Sequence, residues 1–336
     1  MSQAMEWLLE EDSENPGVRY FALRDLLGQS SRALEVVEAR KALMQQGPVP
    51  AILAEQDAEG YWNQPGTGYY PKYRGTVWSI IYLAQLGADP QDPRVRAGGE
   101  YLLANSLATN GAFSVSGTLS GNIACLNGNL GAALLDLGFS GDERLTRALD
   151  ILARFSTGEG VAPPTKRKAP LHYLKSASCG PGFCCSANAG QPCAWGAVKV
   201  LRALARVPEG SRTPVTQAAL DVAVDFLLSV DPATACYPSG YNSKPSRSWF
   251  KFGFPVFYVT DVLQIAESLS NAGYGNDPRL ANSYDYILDK RDPYGRWRME
   301  YSYQGKTWAD VEEKGKPSKW VTLRAMRVLK RGGLEV

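Results

Sequence analysis

The chain has 336 residues, 44% of them hydrophobic and 21% charged, which is enough apolar content for a sizeable core and excludes a disordered or fibrous chain. Lys and Arg total 36 against 34 Asp and Glu, and a net charge of +2 excludes a general pull toward nucleic acid or an anionic membrane. No apolar run reaches the roughly 20 residues of a transmembrane helix. The acidic opening MSQAMEWLLEEDSENP also lacks the parts of a signal peptide, so a cytoplasmic protein is expected.

Hydrophobic periodicity is helical nearly throughout, strand signals are almost absent, and the helices come in pairs. A short helix is expected over 3–10. Helices rich in small and apolar residues then follow over 15–27, 75–86, 125–137, 193–205, 255–269 and 318–330. Each of the first five is followed by a more amphipathic helix. Four of these second helices open with similar start chemistry: Asp92-Pro93, Asp142-Glu143, Thr213-Pro214 and Asp277-Pro278. Asp or Thr accepts the free N–H groups there, and Pro suits the first helical position. The second helices end in a glycine and aromatic step, seen at Gln56 to Trp62, Asn110 to Phe113 and Arg291 to Trp297, where glycine closes the helix in the left-handed region. Weaker copies lie at Gly158-Glu159-Gly160 and Ala235-Cys236-Tyr237. The spacing between units is loose and is widest where a cysteine-rich loop is inserted at about 158–193. The last helix lacks a partner, and the N-terminal helix over 3–10 can supply it, which would close six pairs into a ring within one domain, 1–336.

Gln56, Gly60 and Trp62 together match the QxxxGxW repeat, and on this motif the chain resembles the squalene-hopene and oxidosqualene cyclases. With its six helix pairs it also resembles the β subunits of protein prenyltransferases. The resemblance implies an all-α fold, an α6/α6 toroid with an inner and an outer layer of helices. It places Asn15, Gly75, Cys125, Cys193, Pro255 and Ser318 at one mouth of the inner barrel. The chain departs from both families in its chemistry. It has no DxDD motif, Asp310-Val311-Glu312-Glu313 being a loose echo, and no Asp-x-Cys zinc pair. A separate α subunit, which the prenyltransferases require, is neither indicated nor excluded.

At that mouth, basic residues alternate with aromatics: Lys72 and Arg74, Lys166 to Lys168, Lys175, Lys244, Arg247 and Lys251, and Lys314 to Lys319. Converging helix N-termini would favour an anion, and these side chains would reinforce the field, so a diphosphate or similar anionic amphiphile is the expected ligand. Solvated loop charges are the plainer alternative. Tyr20, Trp78, Tyr82, Trp195, Phe254, Phe257, Tyr258 and Trp320 are candidates to line the barrel and hold an isoprenyl chain, unless they are ordinary core. Asp261, a carboxylate in an apolar helix, is the candidate acid, base or cation partner.

Cys179, Cys184, Cys185 and Cys193 fall around a Gly-Pro-Gly turn, and Cys125 opens a neighbouring inner helix. In a reducing compartment this set points to a metal, zinc before an iron–sulfur cluster, or to unligated thiols, ahead of disulfides. Three functions are consistent with these features. The first is a prenyltransferase- or cyclase-like protein binding an isoprenyl diphosphate; the second is a non-catalytic scaffold with a structural metal. The third is a carbohydrate-active toroid using Asp261 with Asp310 or Glu312.

Overall fold

The computed structural model describes residues 2–161 and 178–336. Among the described residues there are thirteen α-helices and one pair of two-residue strands. The helices are α1 (Gln3–Leu9), α2 (Pro16–Phe21), α3 (Leu34–Gln45), α4 (Pro48–Ala54), α5 (Thr76–Leu86), α6 (Pro93–Asn105), α7 (Ala124–Asp136), α8 (Glu143–Thr157), α9 (Ala194–Leu204), α10 (Pro214–Leu227), α11 (Val262–Leu269), α12 (Ala281–Asp289) and α13 (Lys319–Arg331). The strands β1 (Trp297–Arg298) and β2 (Pro317–Ser318) pair antiparallel, with Trp297 opposite Ser318. A π-helical stretch, Ala22–Leu26, extends α2.

The helix starts follow from their first residues. The side chains of Asp92, Asp142, Thr213 and Asp277 each accept a backbone N–H two or three residues on, and three of the four positions are followed by proline. The glycine and aromatic step ties an outer helix to the inner helix that follows. Gln56 donates to the Gly60 carbonyl at 3.0 Å and to that of Arg94 at 2.9 Å, and the Trp62 indole N–H reaches the Ile52 carbonyl at 2.7 Å. The Trp62 backbone N–H then donates to Thr76 Oγ1 at the head of α5. Trp297 repeats the arrangement with Ile287 and Thr322, and Phe113 does so with Asn127. Gly60 has φ +93°, and a Cβ there would lie 2.7 Å from the Ala97 carbonyl oxygen, so the step requires glycine.

The apolar helices pack against one another in chain order: α5 on α7, α7 on α9, α9 on α11, α11 on α13, and α13 back on α2. Gly17 of α2 closes the remaining gap, for a Cβ at this position would sit 2.6 Å from the Leu86 carbonyl oxygen and 2.8 Å from the Trp320 ring. The contacts therefore form a closed circuit. At the seam, Trp320 Nε1 donates to Asn15 Oδ1 at 2.9 Å, and Lys330 Nζ donates to the Leu26 carbonyl at 2.6 Å. The more amphipathic helices lie outside, and α1 packs on both α2 and α13, burying Ala4, Met5 and Leu8. One apolar cluster runs from α1 through α13.

Closure is testable at Gly17. Gly17→Ala should destabilise the protein by about 1–3 kcal/mol, the usual cost of overpacking, despite alanine's better helix propensity. Gly141→Ala, where a Cβ would meet nothing within 4 Å, serves as the control and should be neutral in urea denaturation. Equal stability of the two variants would contradict close packing at the seam.

Candidate functional site

A cavity of about 180 Å³ lies inside the helix ring, walled by the later turns of the inner helices rather than by their N-termini. Seven arginines line it: Arg24 beyond α2, Arg40 from α3, Arg202 and Arg206 from the end of α9, and Arg324, Arg327 and Arg331 along α13. The carboxylates facing them are Asp25, Asp136 and Glu267. Among the described residues, guanidinium groups in the lining thus outnumber carboxylates there by four, or by three when Asp261, which pairs with Arg324 from beyond the lining, is included.

The pairing is uneven. Arg24 Nε lies 2.5 Å from Asp25 Oδ1, Arg327 also meets Asp25, and Arg206 Nε lies 2.9 Å from Asp136 Oδ1. Arg324 reaches Glu267 at 3.4 Å and Asp261 at 3.3 Å. Arg40, Arg202 and Arg331 have no ion-pair partner among the described residues, and buried Arg40 Nε and Arg202 Nη1 make no hydrogen bond. Aromatic faces hold part of the set in place, with Arg327 4.4 Å and Arg24 4.8 Å from the Phe21 ring and Arg40 5.3 Å from that of Tyr20.

Burial, helped by the charge of Arg206, pulls the Arg202 guanidinium down to about 10, against the opposing pull of Glu267 and Asp136. It remains a cation at neutral pH. Burial works against the charge on Glu267 as well, but Arg324 and Arg202 hold its carboxyl below the usual range, and Arg327 and Arg24 do the same for Asp25. Glu267 and Asp25 are therefore ionised at neutral pH. Phe254 and Trp320 also line the cavity, stacked with centroids 4.2 Å apart and planes 2° from parallel.

Of the residues singled out from sequence, Tyr20, Phe254 and Trp320 line this cavity. Lys72, Arg74, Lys244, Arg247 and Lys251 are exposed and lie outside it, with Lys72 over the Tyr69 ring and Arg74 over that of Trp308. Their positions in loops put these side chains on the surface. Lys175, with His172 and Lys166 to Lys168, lies outside the described residues. Trp78 and Tyr258 are packed at 5.2 Å in an aromatic cluster with Tyr69, Tyr73, Phe257 and Tyr303. Trp195 packs edge-on against Trp249.

Asp261 caps α11 by accepting the Gln264 N–H at 2.6 Å, and it pairs with Arg324 through both carboxylate oxygens. Those bonds hold the carboxylate between α11 and α13. Glu312 similarly accepts the Lys319 N–H at 2.6 Å at the head of α13, and Asp310 accepts the Gly305 N–H.

Among the described residues, no three Cys, His, Asp or Glu side chains are placed to hold a metal ion. Cys125 and Cys179 are buried, Cys184 is half-buried, and the thiols of Cys185 and Cys193 share a hydrogen bond. That bond from Cys193 holds the Cys185 thiol below its ordinary value although burial opposes it, while Cys193 is pushed up. Burial drives Cys125 up to about 12.

Sequence reasoning missed the arginines of the inner helices. The available signal was cation spacing of three and four residues, Arg324, Arg327 and Arg331, within a helix that otherwise has to be apolar on its inner face.

No protein-family model matches the chain, and no curated protein matches it in sequence. The structure is similar to that of type II terpene cyclase MstE from Scytonema, with 14% identity over 85% of this chain and 96% of that one and a TM-score of 0.32. It is also similar to a GH76 α-mannanase from Bacteroides thetaiotaomicron, at 13% identity over 76% of this chain and 68% of that one, TM-score 0.38. Likeness of this degree transfers neither an activity nor a site.

Two outcomes follow from the titrating groups. Under limiting iodoacetamide at about pH 7, mass spectrometry should find Cys185 alkylated before Cys125 and Cys193, and the reverse order would contradict the thiol pair. Lys199 is fully buried, and burial pulls it from 10.5 to about 7. Between those values the unfolded chain binds more protons, so this group makes stability rise with pH across that window and fall as pH drops toward 7. Denaturant melts should show this rise flattened in Lys199→Met.

Proposed function

We propose that the chain is an α6/α6 toroid that binds a compact polyanion, of which diphosphate is the model, in the arginine-lined cavity. The observation that carries this reading is Arg202: a cation whose Nη1 is buried without a partner, in a cavity whose lining holds four more guanidinium groups than carboxylates. A buried donor without a partner costs about 1–3 kcal/mol, more if charged, and a bound anion removes that cost. Half-buried Arg40 and, at the exposed rim, Arg331 supply further forks, each able to grip two phosphate oxygens. The ion-paired arginines hold the frame. Phe254 and Trp320 give the anion a flat apolar neighbour, which accommodates a short isoprenyl or other apolar group attached to it. The polar remainder of the wall favours the headgroup over a long chain, so the ligand class is narrower than an isoprenyl diphosphate of any length.

Inorganic diphosphate should raise the melting temperature by ligand linkage, and added salt should weaken the effect only partly because the site is sheltered. Arg202→Ala should weaken binding by about 1.5–3 kcal/mol, the range for a charged hydrogen bond. The ligand-free variant should melt no lower than the parent, since like charges surround Arg202. Arg247→Ala should bind as the parent does. Loss of binding in Arg247→Ala with retention in Arg202→Ala would move the site to the exposed loops and overturn the proposal.

A further inference from the structure

Gln264 stands where the cavity wall meets the barrel interior: it lines the cavity and is otherwise buried. Its Oε1 accepts a hydrogen bond from Lys199 Nζ, which also donates to Thr260 Oγ1 at 2.9 Å. The Thr260 hydroxyl in turn donates to the Tyr258 carbonyl at 3.2 Å, which fixes its lone pairs toward the lysine. As an ammonium, Lys199 can only donate toward Gln264, and this selects the carbonyl end of the amide. The NH₂ end is left for the cavity side.

We propose that Lys199 is a positioning residue for anion binding: it holds the Gln264 amide with its NH₂ turned into the arginine-lined cavity, and it places a titratable amine one side chain behind the bound anion. The inference rests on the polyanion reading of that cavity.

The surroundings of the amine support coupling between its proton and the anion. Lys199 has no ion-pair partner among the described residues. Burial is the largest influence on it; Cys125 of α7 and Asp261 at the head of α11 favour its charge, while Arg202 on its own helix and Arg324 of α13 oppose it. On the outer helices packed against α9, Glu143 and Arg147 of α8 and Asp221 and Asp225 of α10 are exposed and face away. An anion in the cavity would offset the field of Arg202 and Arg324, so binding should bring proton uptake at Lys199, and protonation should tighten binding by the same factor.

Calorimetric affinities for inorganic diphosphate, measured for the parent and Lys199→Met at about pH 6 and about pH 8.5, test this on either side of the Lys199 titration. The ratio of the two affinities at each pH cancels the ionisation of diphosphate itself. The variant should bind about tenfold more weakly at the lower pH and about two- to threefold more weakly at the higher, where only the amide orientation is lost. Gln264→Met should show a loss of about threefold at both. A ratio near one at both pH values, with the parent binding normally, would overturn the inference and leave the cavity reading intact. No binding by the parent would overturn both. Should Lys199→Met fail to fold, sulfate, whose charge is constant over this range, serves as the probe with the parent protein alone. Its affinity should then be several-fold higher at the lower pH, and a flat profile would overturn the proposal.

Discussion

The indole of Trp320 donates to Asn15 across the seam between the last inner helix and the first, and its ring lies flat on Phe254. The same ring touches the space a Cβ on Gly17 would need. Closing the circuit at this point sets the distance between α2 and α13, and with it the position of every arginine those two helices present. Arg327 of the last inner helix reaches Asp25, already paired with Arg24, only because the two ends of the chain are brought together.

Closure has an electrostatic consequence. Helix C-termini carry partial negative charge, and several converge at this end of the ring. Cations in the last turns offset that charge, as Arg206 does by donating to the Arg202 carbonyl at 2.7 Å. The arginines exceed what this and the carboxylates require, and the buried donors left without partners on Arg40 and Arg202 are a cost to the ligand-free fold. Excess of one sign in a sheltered cavity is how a site is prepared for the opposite charge, because the donors need not reorganise when it arrives. At the other end Tyr69, Tyr73, Trp78, Phe257 and Tyr303 pack into an aromatic cluster.

Much of the helical framework was legible. The N-caps at Asp92, Asp142, Thr213 and Asp277 and the steps at Gln56 to Trp62 and Arg291 to Trp297 depend on residues close in sequence, and local chemistry fixes them. The end of the ring that carries the cavity was not legible. Lys72, Lys244 and Arg247 read as a basic mouth because they alternate with aromatics, yet those aromatics pack among themselves and leave the cations in solvent. Asp261 looked like a lone carboxylate in an apolar helix because its partner, Arg324, is 63 residues away. Contacts between distant helices decide which charges face inward, and a single sequence does not display them.

The most direct test of the account is to observe the arginine side chains themselves during titration with inorganic diphosphate, by ¹⁵N–¹H correlation of their Nε resonances. The account predicts that Arg40, Arg202 and Arg331 shift in a saturable way while Arg74 and Arg247 stay fixed. Saturable shifts confined to Arg74 and Arg247, with the cavity arginines unmoved, would contradict it.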